Sequence, residues 1–156
     1  RSLAAHHAAR PHTEVHHEDG FEGLKAQLPP PSRRAVLLID PSYELKADYA
    51  RLVAAVREAL RRFAECVVIV WYPQVNRLEA AQLPKRLCNL APKAWLHARL
   101  TVQPVDQQGF GLAGSGVVVI NPPWTLHAAL QEALPWLCKV LAQYDGANYL
   151  LEQRAA

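Results

Sequence analysis

The sequence predicts an α/β fold of the doubly wound kind, and three observations carry that prediction. Ala35-Val36-Leu37-Leu38-Ile39 and Cys66-Val67-Val68-Ile69-Val70-Trp71 are unbroken apolar runs of strand length, the pattern of strands buried on both faces of a parallel sheet. Between them, Leu45, Tyr49, Leu52, Val53, Val56, Leu60 and Phe63 recur at steps of three and four, which lines one face of a helix. Strand, helix and strand in this order make a parallel crossover unit.

Taken in order, Thr13 to Glu18 reads as a short strand running into the turn pair Asp19-Gly20, after which Phe21, Leu24 and Leu28 fall at helical spacing. Pro29-Pro30-Pro31 stops that helix. The run 35–39 is placed at the centre of the sheet and ends sharply at Asp40-Pro41. In the long helix that follows, Lys46, Arg57, Glu58, Arg61 and Arg62 take the wet side. A helical stretch from Asn76 to Leu90, interrupted near Pro84, leads to a strand at Trp95 to Gln103 and another at Gly116 to Ile120. The Gly-rich connector between these two suits an antiparallel hairpin, so the expected sheet is mostly parallel with an antiparallel C-terminal edge. Thr125 to Ala142 forms the last helix, irregular at Pro135.

At 156 residues and 51% hydrophobic content, the chain has the size of one domain and material for a real core. It opens on Arg1 and contains no methionine, so it is expected to be cut from a longer protein. No secretory pattern opens the sequence and no apolar run approaches the ~20 residues that span a bilayer; no membrane partner is expected. Cys66, Cys88 and Cys138 are odd in number and far apart, which argues against a disulfide framework or zinc site and for a reducing cytoplasm. A net charge of +3 permits a polyanionic partner without requiring one. Arg57, Arg61, Arg62, Lys85, Arg86, Lys93 and Arg99 could track phosphates, but surface charge of this kind is ordinary.

Asp40-Pro41-Ser42-Tyr43 lies where open α/β sheets place ligands, at the carboxyl end of a strand. Transfer to an exocyclic amine needs such an arrangement, because the amine lone pair is delocalised into the ring. The Asp40 carboxylate and the Pro41 carbonyl can each accept one amine N–H, localising the lone pair and stabilising developing positive charge. Tyr43 would stack on an extruded base, and proline stiffens the turn. A bare Asp-Pro-x-Tyr is more often a plain turn, so position must support the reading.

Asn121-Pro122-Pro123-Trp124 is a rival of similar spelling, but too little chain follows it to flank a central catalytic strand. It is read as the end of an edge strand entering a helix and lining the substrate cleft. Gly109 to Gly114 spells GxGxxG, yet a strand follows where a phosphate loop requires a helix. His6-His7 and His16-His17 lack spaced partner ligands and are read as solvated, so no metal is expected. Trp71-Tyr72-Pro73 ends its strand on the same edge as Asp40, either walling a base or packing in the core.

Taken together, Glu18-Asp19-Gly20-Phe21, Leu28-Pro29-Pro30, Ser32-Arg33-Arg34, Leu38-Ile39-Asp40-Pro41 through Tyr43-Glu44, Trp71-Tyr72-Pro73, Gly114-Ser115-Gly116, Val119 to Trp124 and Leu134-Pro135-Trp136-Leu137 resemble, in order, the RlmJ family of bacterial 23S ribosomal RNA adenine-N6 methyltransferases. The resemblance implies a Rossmann-like class I fold of which residues 1–156 are the C-terminal part of one methyltransferase domain. The N-terminal strands and the glycine-rich loop would be missing, leaving the isolated piece inactive. It further implies S-adenosylmethionine as methyl donor, no metal, 23S ribosomal RNA as partner, and a monomeric cytoplasmic enzyme. Asp40 maps onto the family's catalytic acidic residue, which also contacts the cofactor; Asp19 and Gly20 map onto its adenosyl-binding pair. Ser42 stands where the family has a second proline. Two alternatives stay open: another exocyclic amine (guanine N2, cytosine N4 or a glutamine amide) as acceptor, and a non-catalytic RNA-binding fragment.

Overall fold

The computed structural model describes residues 7, 10–105 and 111–155. Its elements are α1 (Gly20–Gln27), β1 (Val36–Ile39), α2 (Lys46–Arg62), β2 (Val67–Gln74), α3 (Leu78–Cys88), β3 (Trp95–Thr101), β4 (Gly114–Ile120), α4 (Leu126–Leu141) and β5 (Asn148–Arg154). The five strands form one open sheet in the order β1-β2-β4-β3-β5, a mixed α/β architecture.

The crossover unit forms as its apolar periodicity requires. β1 and β2 pair parallel, Val36 with Val67 through Ile39 with Val70, and α2 returns the chain between them. Tyr49, Leu52, Val53, Val56 and Leu60 of α2 are buried against Ile39, Val68, Val70 and Tyr72, joined by Val118 and Ile120 of β4 and by Leu83 and Leu87 of α3. Removing side chains of this size from water is worth about 1.5–3 kcal/mol each. A smaller core on the opposite face joins Leu96, Ala98, Val119 and Leu134, with α4 as its cover.

Several expectations need correction. β3 and β4 pair antiparallel as expected, but β4 does not lie at an edge: it is inserted between β2 and β3, antiparallel to both. The sheet is therefore not mostly parallel, since β1–β2 is the one parallel pairing among the described strands. The reason lies in composition: Val118 and Ile120 face one core while Val117 and Val119 face the other, and such a strand is stable only inside a sheet. The edge is taken instead by β5, which pairs antiparallel with β3 and carries Asn148, Glu152, Gln153 and Arg154 among its seven residues.

β1, expected at the centre and buried on both faces, stands at the other end of the order. Val36 and Leu38 are 69% and 67% exposed, because none of the described residues packs on their face or pairs with their free edge. Thr13 to Glu18, expected as a strand, form none; with no ladder partner among the described strands, His16 instead pairs locally with Glu14 at 3.2 Å and Glu18 at 3.7 Å. Pro84 and Pro135 lie within α3 and α4 without interrupting either.

Candidate active site

α1 begins at Asp19, whose Oδ1 accepts the Phe21 N–H at 2.9 Å, a cap on the helix's unpaired donors. Its Oδ2 accepts from Arg51 of α2, whose guanidinium also lies 5.1 Å from the Phe21 ring centroid. These bonds, the Arg51 one foremost, hold the Asp19 carboxyl below its ordinary range. Gly20 adds backbone without a side chain, and the space a Cβ would enter is open.

Twenty residues on, β1 delivers Asp40 at its carboxyl end. Asp19, Gly20, Asp40, Pro41 and Ser42 line one cleft of about 450 Å³, walled by Phe21, Leu24, Leu37 and Ile39. The two acidic positions singled out from the sequence thus meet in space. Asp40 is exposed, and no other described side chain bonds to its carboxylate.

Tyr43 is placed differently from the base-stacking expectation. It is 4% exposed and turned into the core with φ at 57°. Its hydroxyl donates to the Trp71 carbonyl, and its ring packs 5.0 Å from Tyr49 and 6.3 Å from Trp71. Burial first, then the nearby Asp40 carboxylate, push its hydroxyl pKa well up, so it stays a neutral donor. The face a base would use is occupied; what Tyr43 does here is anchor the turn. Arg77 helps, donating to the Tyr43 and Glu44 carbonyls at 3.2 and 3.1 Å.

The rival motif sits at the opposite edge of the sheet. Ile120 pairs with Val68 and Trp95, the amino-terminal ends of β2 and β3, so Asn121 to Trp124 cannot line the cleft beside Asp40. Asn121 adopts φ of 54°, and its Nδ2 donates to the Ala64 and Cys66 carbonyls at 2.7 and 2.9 Å. Tyr72, offered as a wall for a base, is buried and hydrogen-bonded to His97 Nε2 at 2.7 Å: the core reading holds for it. Gly109 and Phe110 of the GxGxxG run lie outside the described residues, as does His6; Gly111 to Ala113 lead straight into β4.

The sequence model of the family described as ribosomal RNA large subunit methyltransferase D, RlmJ, matches residues 2–151. The chain belongs to the RlmJ family. Two curated relatives, each called ribosomal RNA large subunit methyltransferase J, are 42% identical to it. The one from Haemophilus influenzae aligns over 135 residues, 86% of this chain and 48% of the relative. The one from Escherichia coli aligns over 123 residues, 79% and 44%. The crystal structure of a Legionella pneumophila protein, LPL1258, superposes with a TM-score of 0.80 at 31% identity, covering 88% of this chain and 50% of that one. This RlmJ-family chain therefore spans about half the length of the relatives it matches. Arg51 and Arg77, which organise its cleft, were not singled out from the sequence. Each finds its partner more than thirty residues away, a distance at which spacing carries no signal.

Proposed function

We propose that residues 1–156 are the C-terminal part of a methyltransferase domain that modifies the exocyclic N6 of an adenine in 23S ribosomal RNA, with S-adenosylmethionine as donor. The observation that carries this reading is the convergence of Asp19-Gly20 and Asp40-Pro41 on one cleft. The names borne by the 42% identical relatives support the ribosomal RNA substrate. The same reading makes the protein a monomeric cytoplasmic enzyme without a metal. The free edge of β1, with Val36 and Leu38 uncovered, suits a sheet whose N-terminal strands and glycine-rich loop lie upstream.

The residues present fit the cofactor in part. A fixed carboxylate acceptor at Asp19, open backbone at Gly20 and apolar walls at Phe21 and Leu37 suit an adenosyl group. S-adenosylmethionine supplies an electrophilic methyl when bound. On the acceptor side, an Asp40 oxygen accepts one N–H of the adenine amine and the Pro41 carbonyl the other. Both acceptors draw the lone pair out of conjugation and stabilise the amine as it becomes cationic. Because Tyr43 and Arg77 fix the turn on the side away from the cleft, the acceptors need no rearrangement at the moment of reaction. Ser42 preserves this geometry, since the Pro41 carbonyl and the Tyr43 anchor are both present.

A labelled-methyl assay of the full-length protein on unmodified 23S RNA tests the reading, with the product identified by nucleoside mass spectrometry. The expected product is N6-methyladenosine, and Asp40→Ala is expected to lower the rate by about 10²–10³ with thermal stability unchanged. Unchanged turnover in that variant would remove Asp40 from the chemistry. Methylated guanine, cytosine or a glutamine amide would reassign the acceptor. The isolated 156 residues are expected to bind S-adenosylmethionine weakly in calorimetry; tight binding would contradict a divided pocket.

A further inference from the structure

A second groove lies on the α3 side of the sheet, away from Asp40. It is composed of two adjoining cavities of about 150 and 510 Å³ that share Ala81, Pro84 and Arg99. One end reaches Gln74 and Val75, at the carboxyl edge of the sheet where Asp40 also stands; the other reaches Glu152 and Arg154 on β5. Gly116 lets the Tyr72 ring lie flat beneath it, for a Cβ there would stand 2.4 Å from that ring.

The groove's charge is unusual. Arg99 is half-buried, yet its Nε–H is buried without an acceptor, and no described carboxylate pairs with its guanidinium. Lys85 likewise has no partner among the described residues. Arg154 gives two of its N–H donors to the backbone carbonyls of Lys93 and Ala91, at 3.0 and 2.7 Å, which fixes the guanidinium without neutralising it. Against these three cations stands, among the described lining residues, one carboxylate, Glu152, which is 3.8 Å from His97 Nδ1. Burial foremost, and Arg99 with it, lower the His97 pKa against the opposing pull of Glu152, and the ring offers a polar floor through its bond to Tyr72.

An orphaned, half-buried arginine donor is costly unless something completes it, and cations left unpaired around a concave surface attract an anion. We infer that this groove is a subsite for the RNA phosphate backbone, with Arg99, Lys85 and Arg154 receiving phosphodiester groups of the strand that carries the target adenine. The inference rests on the RNA reading above. Phosphate contacts position a nucleic acid without reading its sequence, which is what an enzyme presenting one adenine to Asp40 requires from a remote groove.

The test is the salt dependence of 23S RNA binding by the full-length protein, measured by fluorescence anisotropy for wild type, Lys85→Ala, Lys85→Ala with Arg99→Gln, and Glu152→Gln. The double variant is expected to lose roughly tenfold in affinity and to flatten the log–log salt slope by about 0.7–0.9 for each contact removed. S-adenosylmethionine binding should be unchanged. Lys85 is exposed, so the single variant reports even if the Arg99 change impairs folding. Glu152→Gln should strengthen binding by roughly twofold to fivefold, a gain that misfolding cannot produce. Wild-type affinity and slope in the lysine and arginine variants would overturn the groove assignment and leave the RNA reading standing. Failure of the wild type to bind the RNA would overturn both.

Discussion

Two turns in this molecule share a spelling and a place in their strands but not a task. Asp40-Pro41-Ser42-Tyr43 ends β1, and Asn121-Pro122-Pro123-Trp124 ends β4. Both follow an apolar run, and both contain a non-glycine residue at positive φ, Tyr43 at 57° and Asn121 at 54°. Strand direction separates them. β1 runs parallel to β2 and β4 antiparallel to it, so the two carboxyl ends emerge at opposite edges. The first turn meets Asp19 and Gly20 across a cleft; the second meets the α2–β2 connection and closes it. In the first the acidic side chain is left unengaged by the described residues and the aromatic is buried; in the second the polar side chain is engaged and Trp124 is 93% exposed. The direction of the strand beneath a tetrapeptide thus decides which neighbours it can meet.

Substitution at Asn121 should break this comparison most visibly. Asn121→Ala removes two hydrogen bonds to backbone carbonyls, at about 1 kcal/mol each, and puts a β-carbon residue without a stabilising polar group in the left-handed region, at about 1 kcal/mol more. A loss of about 2–3 kcal/mol in denaturant unfolding of the full-length protein is expected, with methyl transfer intact where the protein is folded. This is the reverse of the pattern expected for Asp40→Ala. A variant that keeps its stability and loses turnover would give the second turn a catalytic task.

How far the sequence could foretell these roles follows from the range of the interactions. The β1–α2–β2 unit was legible because apolar periodicity is local, and Phe63 and Leu60 close a helix that begins where Asp48 accepts the Leu45 N–H. The place of β4 was not, since its pairing with β2 joins residues far apart in the chain, from Gln74 with Gly114 to Val68 with Ile120, and a hairpin with β3 satisfies the same local pattern. β5 escaped because Asn148 to Arg154 alternates poorly and is half polar. In the candidate site, position and resemblance single out Asp40 and Asp19, which line one cleft, whereas the inward turn of Tyr43 depends on Tyr49, Trp71 and Arg77 arriving from three other segments.

A smaller effect is expected at Tyr43. Tyr43→Phe keeps the ring between Tyr49 and Trp71 but leaves the part-buried Trp71 carbonyl without this donor, a cost of about 1–2 kcal/mol. Turnover should fall by less than tenfold, because both acceptors of the turn are retained. If the ring swings out to stack on the base instead, the phenylalanine would serve equally well and stability would be unaffected. Unfolding and kcat measured on the same preparation separate the two roles, since an anchor moves the first and a stacking ring moves neither.

Trp124 offers the smallest effect and the cleanest contrast. Were the Asn-Pro-Pro-Trp turn a base-binding site, its indole would be the stacking platform, and truncation would cost about 1–3 kcal/mol of RNA affinity. At 93% exposure and at the edge opposite Asp40, it contributes no such platform to the cleft and little to the core. Trp124→Ala is therefore expected to change stability by less than about 0.5 kcal/mol and to leave both RNA binding and methyl transfer at the wild-type level. A tenfold loss of RNA affinity there would mean that the strand wraps to the far edge of the sheet, and the division of labour between the two turns would have to be redrawn.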